Sequence, residues 1–237
     1  MKIKAVLFDL DGTLLPMDQD TFIKAYFGAL VRMLAPHGYD PKTLVDAIWQ
    51  GTAAMIKNNG DKLNEEAFFE VFREYYGDRA YTDKHLFDEF YKNDFDREVR
   101  PSCGYDAEAY PAVKQIRDMG YRVILATNPL FPSSATESRM SWVGFSPSDF
   151  ELFTTYENSR HCKPNLDYYR DILEKIGLSG EECLMVGNDI GEDMIAEQLG
   201  MKTFLVTRDL INKQGKDISV YPRGDLSDLI EYIKTFK

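Results

Sequence analysis

Cysteine is scarce. The 237 residues hold three, Cys103, Cys162 and Cys183, an odd number with no CxxC spacing. That argues against a disulfide framework or a structural zinc site and fits a reducing cytoplasm. Long apolar runs are missing as well. The longest stretch free of Asp, Glu, Lys and Arg, Val123–Thr136, is 14 residues with two prolines, too short to span a bilayer. The opening MKIKAVLFDLDGT has only a brief apolar run that ends in acids, so no signal peptide is expected. Cations are outnumbered, 28 Lys and Arg against 39 Asp and Glu, for a net charge of −11. Such a surface repels phosphate backbones and anionic lipids, so neither nucleic acid nor a membrane is an expected partner. A small anionic substrate remains open, because a bound cation reverses the field locally. What is present suffices for a globular core: 44% of residues are hydrophobic and 28% charged.

Ile3–Phe8 is short, apolar and rich in branched side chains, which predicts a buried strand. From Asp18 to about Phe95 the periodicity is helical, with helices expected near 19–35, 41–58, 64–76 and 82–95. Pro41 stands at a first helical position, and Asn64-Glu65-Glu66 reads as an N-cap followed by acids. Gly38, Gly60 and Gly77 mark the breaks. Beyond Pro101 strands and helices alternate. Strands are expected at 121–126, 152–155, 183–186 and 203–206, and helices at 107–119, 135–143, 164–176, 192–199 and 226–236. This predicts an α/β fold, a doubly wound parallel sheet with right-handed crossovers. The sheet would be built from residues 1–15 and 100–237 and interrupted by an all-helical insert, residues 16–99.

In such a sheet, working residues sit beyond the carboxyl ends of the strands. The first strand ends in Asp9 and Asp11, two apart on an extended chain and so on one side, with Gly12 allowing a sharp exit. The strand at 121–126 leads to Thr127 and Asn128, and the strand at 183–186 to Gly187-Asn188-Asp189 and then Asp193. Lys163 precedes the helix near Pro164. Each has a simpler reading alone: Asp-Gly and Asn-Pro as turns, Asp189 and Asp193 as helix-capping acids, Lys163 as a solvated surface charge. Together they form an oxygen-rich set suited to Mg²⁺, with a lysine and main-chain N–H groups suited to phosphoryl oxygens. An aspartate beside such a phosphate can act as nucleophile.

The set resembles the haloacid dehalogenase superfamily of phosphohydrolases. Its four motifs appear in order as Asp9-Leu10-Asp11-Gly12-Thr13, Thr127-Asn128, Lys163-Pro164, and Gly187-Asn188-Asp189 with Asp193. The helical insert occupies the place of the family's cap. The resemblance implies Asp9 as nucleophile and Asp11 as general acid and then base. It implies Mg²⁺ held by the Asp9 carboxylate, the Asp11 carbonyl and Asp189, with Asp193 orienting water on the metal. Thr127, the Asn128 backbone and Lys163 would bind the phosphoryl group. The family usually places the fourth-motif Asp directly after Gly; here Asn188 intervenes, and Asn188 stays open beside Asp189 as the ligand.

The expected activity is a Mg²⁺-dependent phosphatase acting on a small phosphorylated metabolite through an aspartyl-phosphate. A phosphoryl-transferring mutase on the same core is the alternative, and a phospho-accepting signalling module a more distant one. Asp11 argues against a dehalogenase, whose relatives lack that second acid. The insert, with 15 of the chain's aromatics, is expected to form a mobile lid that admits small substrates rather than phosphoproteins or nucleic acid. Lys57, Asn58, Asn59 and Lys62 around Gly60 are its candidate specificity residues.

Overall fold

The computed structural model describes residues 2–236. Six parallel strands lie in the order β3-β2-β1-β4-β5-β6. They are β1 (Ala5–Phe8), β2 (Arg122–Leu125), β3 (Leu152–Phe153), β4 (Cys183–Gly187), β5 (Lys202–Val206) and β6 (Arg223–Gly224). The central strands β1 and β4 are buried at every residue, which is why they read as unbroken apolar runs. Alternation divides them between two cores. Val6, Phe8, Leu184 and Val186 pack on one face with α6 (Ala109–Asp118) and α9 (Leu226–Lys234), whereas Ala5, Leu7, Cys183 and Met185 pack on the other with α8 (Leu166–Ile176). The strand order reverses direction between β1 and β4, so their carboxyl ends open the crevice where ligands bind in doubly wound sheets. No helix among the described residues is long and apolar enough to cross a membrane.

Between β1 and α6 the described residues form helices without a named strand: α1 (Gln19–Leu34), α2 (Pro41–Ile56), α3 (Asn64–Tyr76), α4 (Arg79–Thr82), α5 (Lys84–Glu89) and a π-helical segment, Phe90–Val99. Pro41 is the first residue of α2, as expected, behind an Asp40 cap. The single helix expected at 82–95 is instead broken at Asp83 and widens after Glu89. In i→i+5 turns, residues four and five apart share a face, and this keeps Phe90, Tyr91, Phe95 and Val99 buried together. The helix expected at 192–199 is also different: 3₁₀ turns run only from Met194 to Leu199. Asp189 Oδ1 accepts the N–H groups of Gly191 and Glu192, and Asp193 Oδ2 accepts that of Asp189. The Asp189 contacts are those of a capping acid on N–H groups that have no partner within a helix. β6, two residues long, shows no pattern in the sequence.

The insert leaves and returns at one place. Met17 pairs antiparallel with Cys103, and the Gly104 N–H donates to the Pro16 carbonyl at 2.8 Å. It is also fastened elsewhere. The Asn64 and Glu65 N–H groups donate to the carbonyls of Ser159 and Tyr156, each at 2.9 Å. The Asn64 side chain, expected to cap α3, is fully buried and does not cap it. Its amide nitrogen lies 3.4 Å from the carbonyls of Pro129 and His161 and 3.3 Å from Cys162 Sγ, while its oxygen accepts from Asn58 at 2.9 Å. A freely swinging lid does not match these bonds; any opening must break them.

Replacing Asn64 leaves several buried groups without a partner, a cost of about 1–3 kcal/mol. Asn64→Ala is expected to lower Tm by roughly 2–4 °C for each kcal/mol lost. The exposed neighbour change Asn59→Ala should shift stability by less than about 0.5 kcal/mol. Scanning calorimetry of both variants checks this, and equal midpoints would remove Asn64 as a fastening.

Candidate active site

Asp9 follows β1 directly and is 7% exposed. Its Oδ1 accepts from Lys163 Nζ at 3.0 Å. The Thr13 hydroxyl lies 3.0 Å from Asp9 Oδ2 and 3.1 Å from Asn188 Oδ1, with one hydrogen to share between them. Lys163, itself buried, makes a second and shorter contact of 2.6 Å with Asp193 Oδ1. Burial alone would strip the proton from Lys163, but Asp193 and Asp9 outweigh it and hold the ammonium charged. One cation cannot compensate two buried carboxylates, and burial pushes Asp193 up to about 7 despite the contact. Gly187 is required here, since a Cβ would lie 2.1 Å from Asp193 Oδ2.

Asp11 forms an ion pair with Arg139, a residue that the sequence pattern did not single out. Arg139 is buried on α7 (Ser133–Trp142), its guanidinium 4.7 Å from the centre of the Phe131 ring and 3.3 Å from the Thr136 hydroxyl. Asp11 Oδ1 is buried with no partner among the described residues. Burial raises the Asp11 pKa against the pull of Arg139, and the Asp9 charge adds to the rise. A carboxyl in this setting is held nearer to proton exchange at neutral pH than an ordinary aspartate.

The second strand end contributes Thr127 and Asn128. The Thr127 carbonyl accepts from the Thr154 hydroxyl at 2.6 Å and the Tyr168 hydroxyl at 2.9 Å, which fixes the loop, while its own hydroxyl has no protein partner among the described residues. Asn128 Oδ1 accepts the Lys163 N–H at 3.2 Å, and its amide donates to Glu192 at 3.0 Å. The N–H groups of Asn128 and Asp11 donate to nothing among the described residues. Glu192, also missed in the sequence, lies between two acids that were singled out there. Burial raises its pKa.

At β4 the two open candidates differ in their surroundings. Asn188 is 2% exposed; its amide donates to the Asp209 carbonyl at 2.6 Å, and its oxygen faces Thr13. It lies under Gly12, where a Cβ would come within 2.2 Å of its nitrogen. Asp189 Oδ1 is occupied by two N–H groups, whereas Oδ2 has no protein partner among the described residues. Asp193, expected to orient water, has Lys163 on one oxygen and the Asp189 N–H on the other.

All these strand ends meet below one cavity of ≈ 390 Å³, lined by Asp9, Asp11, Thr127, Asn128, Asn188, Asp189, Glu192 and Asp193 and roofed by the helical insert. Six carboxylates and two lysines line it, so a dianionic ligand would need added positive charge. Among the described residues no three His, Cys, Asp or Glu side chains form a cage of their own. The oxygens of Asp9, the free Oδ2 of Asp189 and the Asp11 carbonyl, which accepts no hydrogen bond, fit a hard cation that needs few carboxylates and keeps several waters. Lys57, Asn58, Asn59 and Lys62 do not line the cavity. Asn58 turns to the Lys62 carbonyl and Asn64, Asn59 to Asp61, and Lys62 to Glu70. Gly60 is pressed on His161, where a Cβ would lie 2.5 Å from Nε2, so this turn packs against the flank of the sheet domain and not over the site.

Comparison with known proteins identifies the family of the chain and its fold. The sequence pattern of the haloacid dehalogenase-like hydrolases matches residues 3–200. The protein YhcW of Bacillus subtilis strain 168 is 27% identical over 214 residues, covering 86% of this chain and 83% of its own. The pyrophosphatase PpaX of Halalkalibacterium halodurans is 23% identical, covering 97% and 98%. The crystal structure of a 2-haloacid dehalogenase from Pseudomonas syringae pv. Tomato superposes with a TM-score of 0.64 at 20% identity, over 99% of this chain and 100% of that one, a likeness of fold. With the family pattern covering the strand ends after β1, β2 and β4 and the lysine between them, the chain belongs to the haloacid dehalogenase-like hydrolases.

Proposed function

We propose that this hydrolase of phosphate esters is a Mg²⁺-dependent phosphatase that works through an aspartyl-phosphate on Asp9. The observation that carries the reading is the arrangement on the cavity floor. Lys163 holds Asp9 in place, and Asp11 stands two residues away with one carboxyl oxygen that has no partner among the described residues. Asp9 attacks the phosphorus in line, and Asp11 gives its proton to the departing alcohol oxygen. Asp11 then takes a proton from water as that water attacks the aspartyl-phosphate, returning Asp9 and releasing phosphate. The Lys163 ammonium, the Thr127 hydroxyl and the Asn128 N–H stabilise the equatorial oxygens. Asp9, Asp189 and the Asp11 carbonyl would hold Mg²⁺, which would supply the positive charge that a phosphoryl group needs in a site where acids prevail. Asp189 serves here in preference to Asn188, because its Oδ2 is charged and uncommitted among the described residues, whereas the Asn188 oxygen is neutral and already faces the Thr13 hydroxyl. Asp193 acts as a positioning residue, fixing Lys163 and the Asp189 backbone.

Residues 16–99 act as a cap over a core of residues 1–15 and 100–237, and the substrate is a small phosphorylated metabolite. Three unpaired thiols support the cytoplasm as its location, and the acidic surface disfavours nucleic acid.

Asp9→Asn is expected to lower kcat by more than about 10³-fold while circular dichroism stays unchanged, since no other group supplies the covalent step. Asp11→Asn should cost about 10²–10⁴-fold on alkyl phosphates and less in the first step on esters with acidic leaving groups. Near-normal kcat in the Asp9 variant would sink the mechanism. Removal of divalent cations with EDTA should abolish phosphate release, and Mg²⁺ should restore it; full activity in EDTA would rule out the metal.

A further inference from the structure

The cavity changes character with height. Its floor is acidic, but the walls given by the cap and the loop after β2 are hydrocarbon: Ile23 and Phe27 on α1, Trp49 and Ile56 on α2, Phe68 on α3, and Phe131. These side chains are not filled by one another. Ile23, Phe27, Phe68 and Phe131 are only half-buried, and Trp49 and Ile56 remain 45% and 46% exposed. Contiguous apolar surface left open beside a reacting centre marks a binding surface. The wall is also firmly built. The Phe27 and Trp49 rings lie 5.4 Å apart, and Phe68 is pressed on α2 where a Cβ at Gly51 would come within 2.6 Å.

The polar groups of the chamber point the same way. Lys84 is paired with Glu65, and Lys213 is exposed, where its charge attracts weakly. Asp88 adds a negative charge. A second phosphate or a carboxylate on the substrate would therefore meet no free buried cation above the floor. The Tyr26 and Tyr91 hydroxyls bond to each other at 2.9 Å, and Gln19, Thr52 and Tyr156 are the remaining uncharged polar side chains of the upper wall, too few and too scattered among hydrocarbon to replace all the water lost by a sugar. Each substrate hydroxyl left unpaired would cost about tenfold in kcat/KM.

We infer that the leaving group is an uncharged, apolar alcohol, so that the substrate is the phosphomonoester of an aliphatic or aryl-alkyl alcohol, not a sugar phosphate or a diphosphate. This rests on the phosphatase reading above. The phosphoryl group stands on the acidic floor with its cation, and the hydrocarbon occupies the chamber beneath α1 and α2. Burial of each methylene there should raise kcat/KM about fourfold.

The test uses the full chain with Mg²⁺ and esters of primary alcohols of similar leaving-group basicity: ethyl, butyl, hexyl and 2-phenylethyl phosphate, compared with glucose 6-phosphate. Hexyl phosphate should exceed ethyl phosphate by a factor on the order of 10², and Phe27→Ala should shrink that ratio. A flat series, or glucose 6-phosphate ahead of the hexyl ester, overturns the inference and leaves the phosphatase reading standing. If no ester is hydrolysed, the phosphatase reading falls and binding decides the chamber. Trp142 is 2% exposed, so Trp49 is the tryptophan able to report a ligand. Saturable quenching by 2-phenylethanol, absent with glycerol, supports the apolar chamber; no quenching by either removes it.

Discussion

The Lys163 ammonium between Asp9 and Asp193 is the contact on which the rest of the site depends. Each partner comes from a different segment: Asp9 from the end of β1, Asp193 from the turns after β4, Lys163 from the loop ahead of α8. Buried carboxylates that repel each other need a shared cation, and a buried cation needs carboxylates, so none of the three is tolerable alone. The arrangement fixes the distance between two strand ends and the loop beside them. Asn128 extends the constraint by accepting the Lys163 N–H, which brings the end of β2 into the same unit.

The sheet order explains why residues so distant in sequence meet. β1 lies between β2 and β4, and the three neighbours run parallel, so their carboxyl ends share one edge. The crevice opens where the strand order reverses, and the helical insert leaves the chain just after Asp9 and Asp11 to roof it. Acidity below and hydrocarbon above are thus consequences of one topology. The floor is built from strand ends, where polar loops emerge, and the roof from helices whose aromatic sides face inward.

Much of this was legible because short buried strands are apolar runs and the residues after them are conspicuous. Asp9, Asp11, Thr127 and Asp189 could be picked out in that way. Arg139 could not, because an arginine amid an ordinary helical pattern reads as surface, and only the fold shows it paired with Asp11. Asn64 looked like a cap residue by its position at the start of α3, but its buried contacts lie with loops about a hundred residues away. The turn around Gly60 misled for a related reason. Its polar composition was visible, whereas its packing on His161 was a property of the assembled chain. The acid at Asp189 does cap N–H groups of the following turns, as its position suggests, but nothing in the sequence distinguishes the 3₁₀ turns at Met194–Leu199 from an α-helix.

The pairing of Met17 with Cys103 has a consequence for how such a chain varies over time. The two ends of the insert are hydrogen-bonded neighbours, so it leaves and re-enters the sheet domain at one point as a closed loop. The entropy of closing a loop grows only with the logarithm of its length, about 0.6 kcal/mol per doubling. Helices can be gained, lost or exchanged between those two residues at little cost to the folding of the sheet. Two further seams limit this, Asn64 with its carbonyl partners and the contacts of Asp96 and Phe95 with Trp142, and a transplanted insert would have to reproduce them or do without. A graft made at residues 17 and 103 would therefore test whether the roof is an interchangeable part or one fitted to this core.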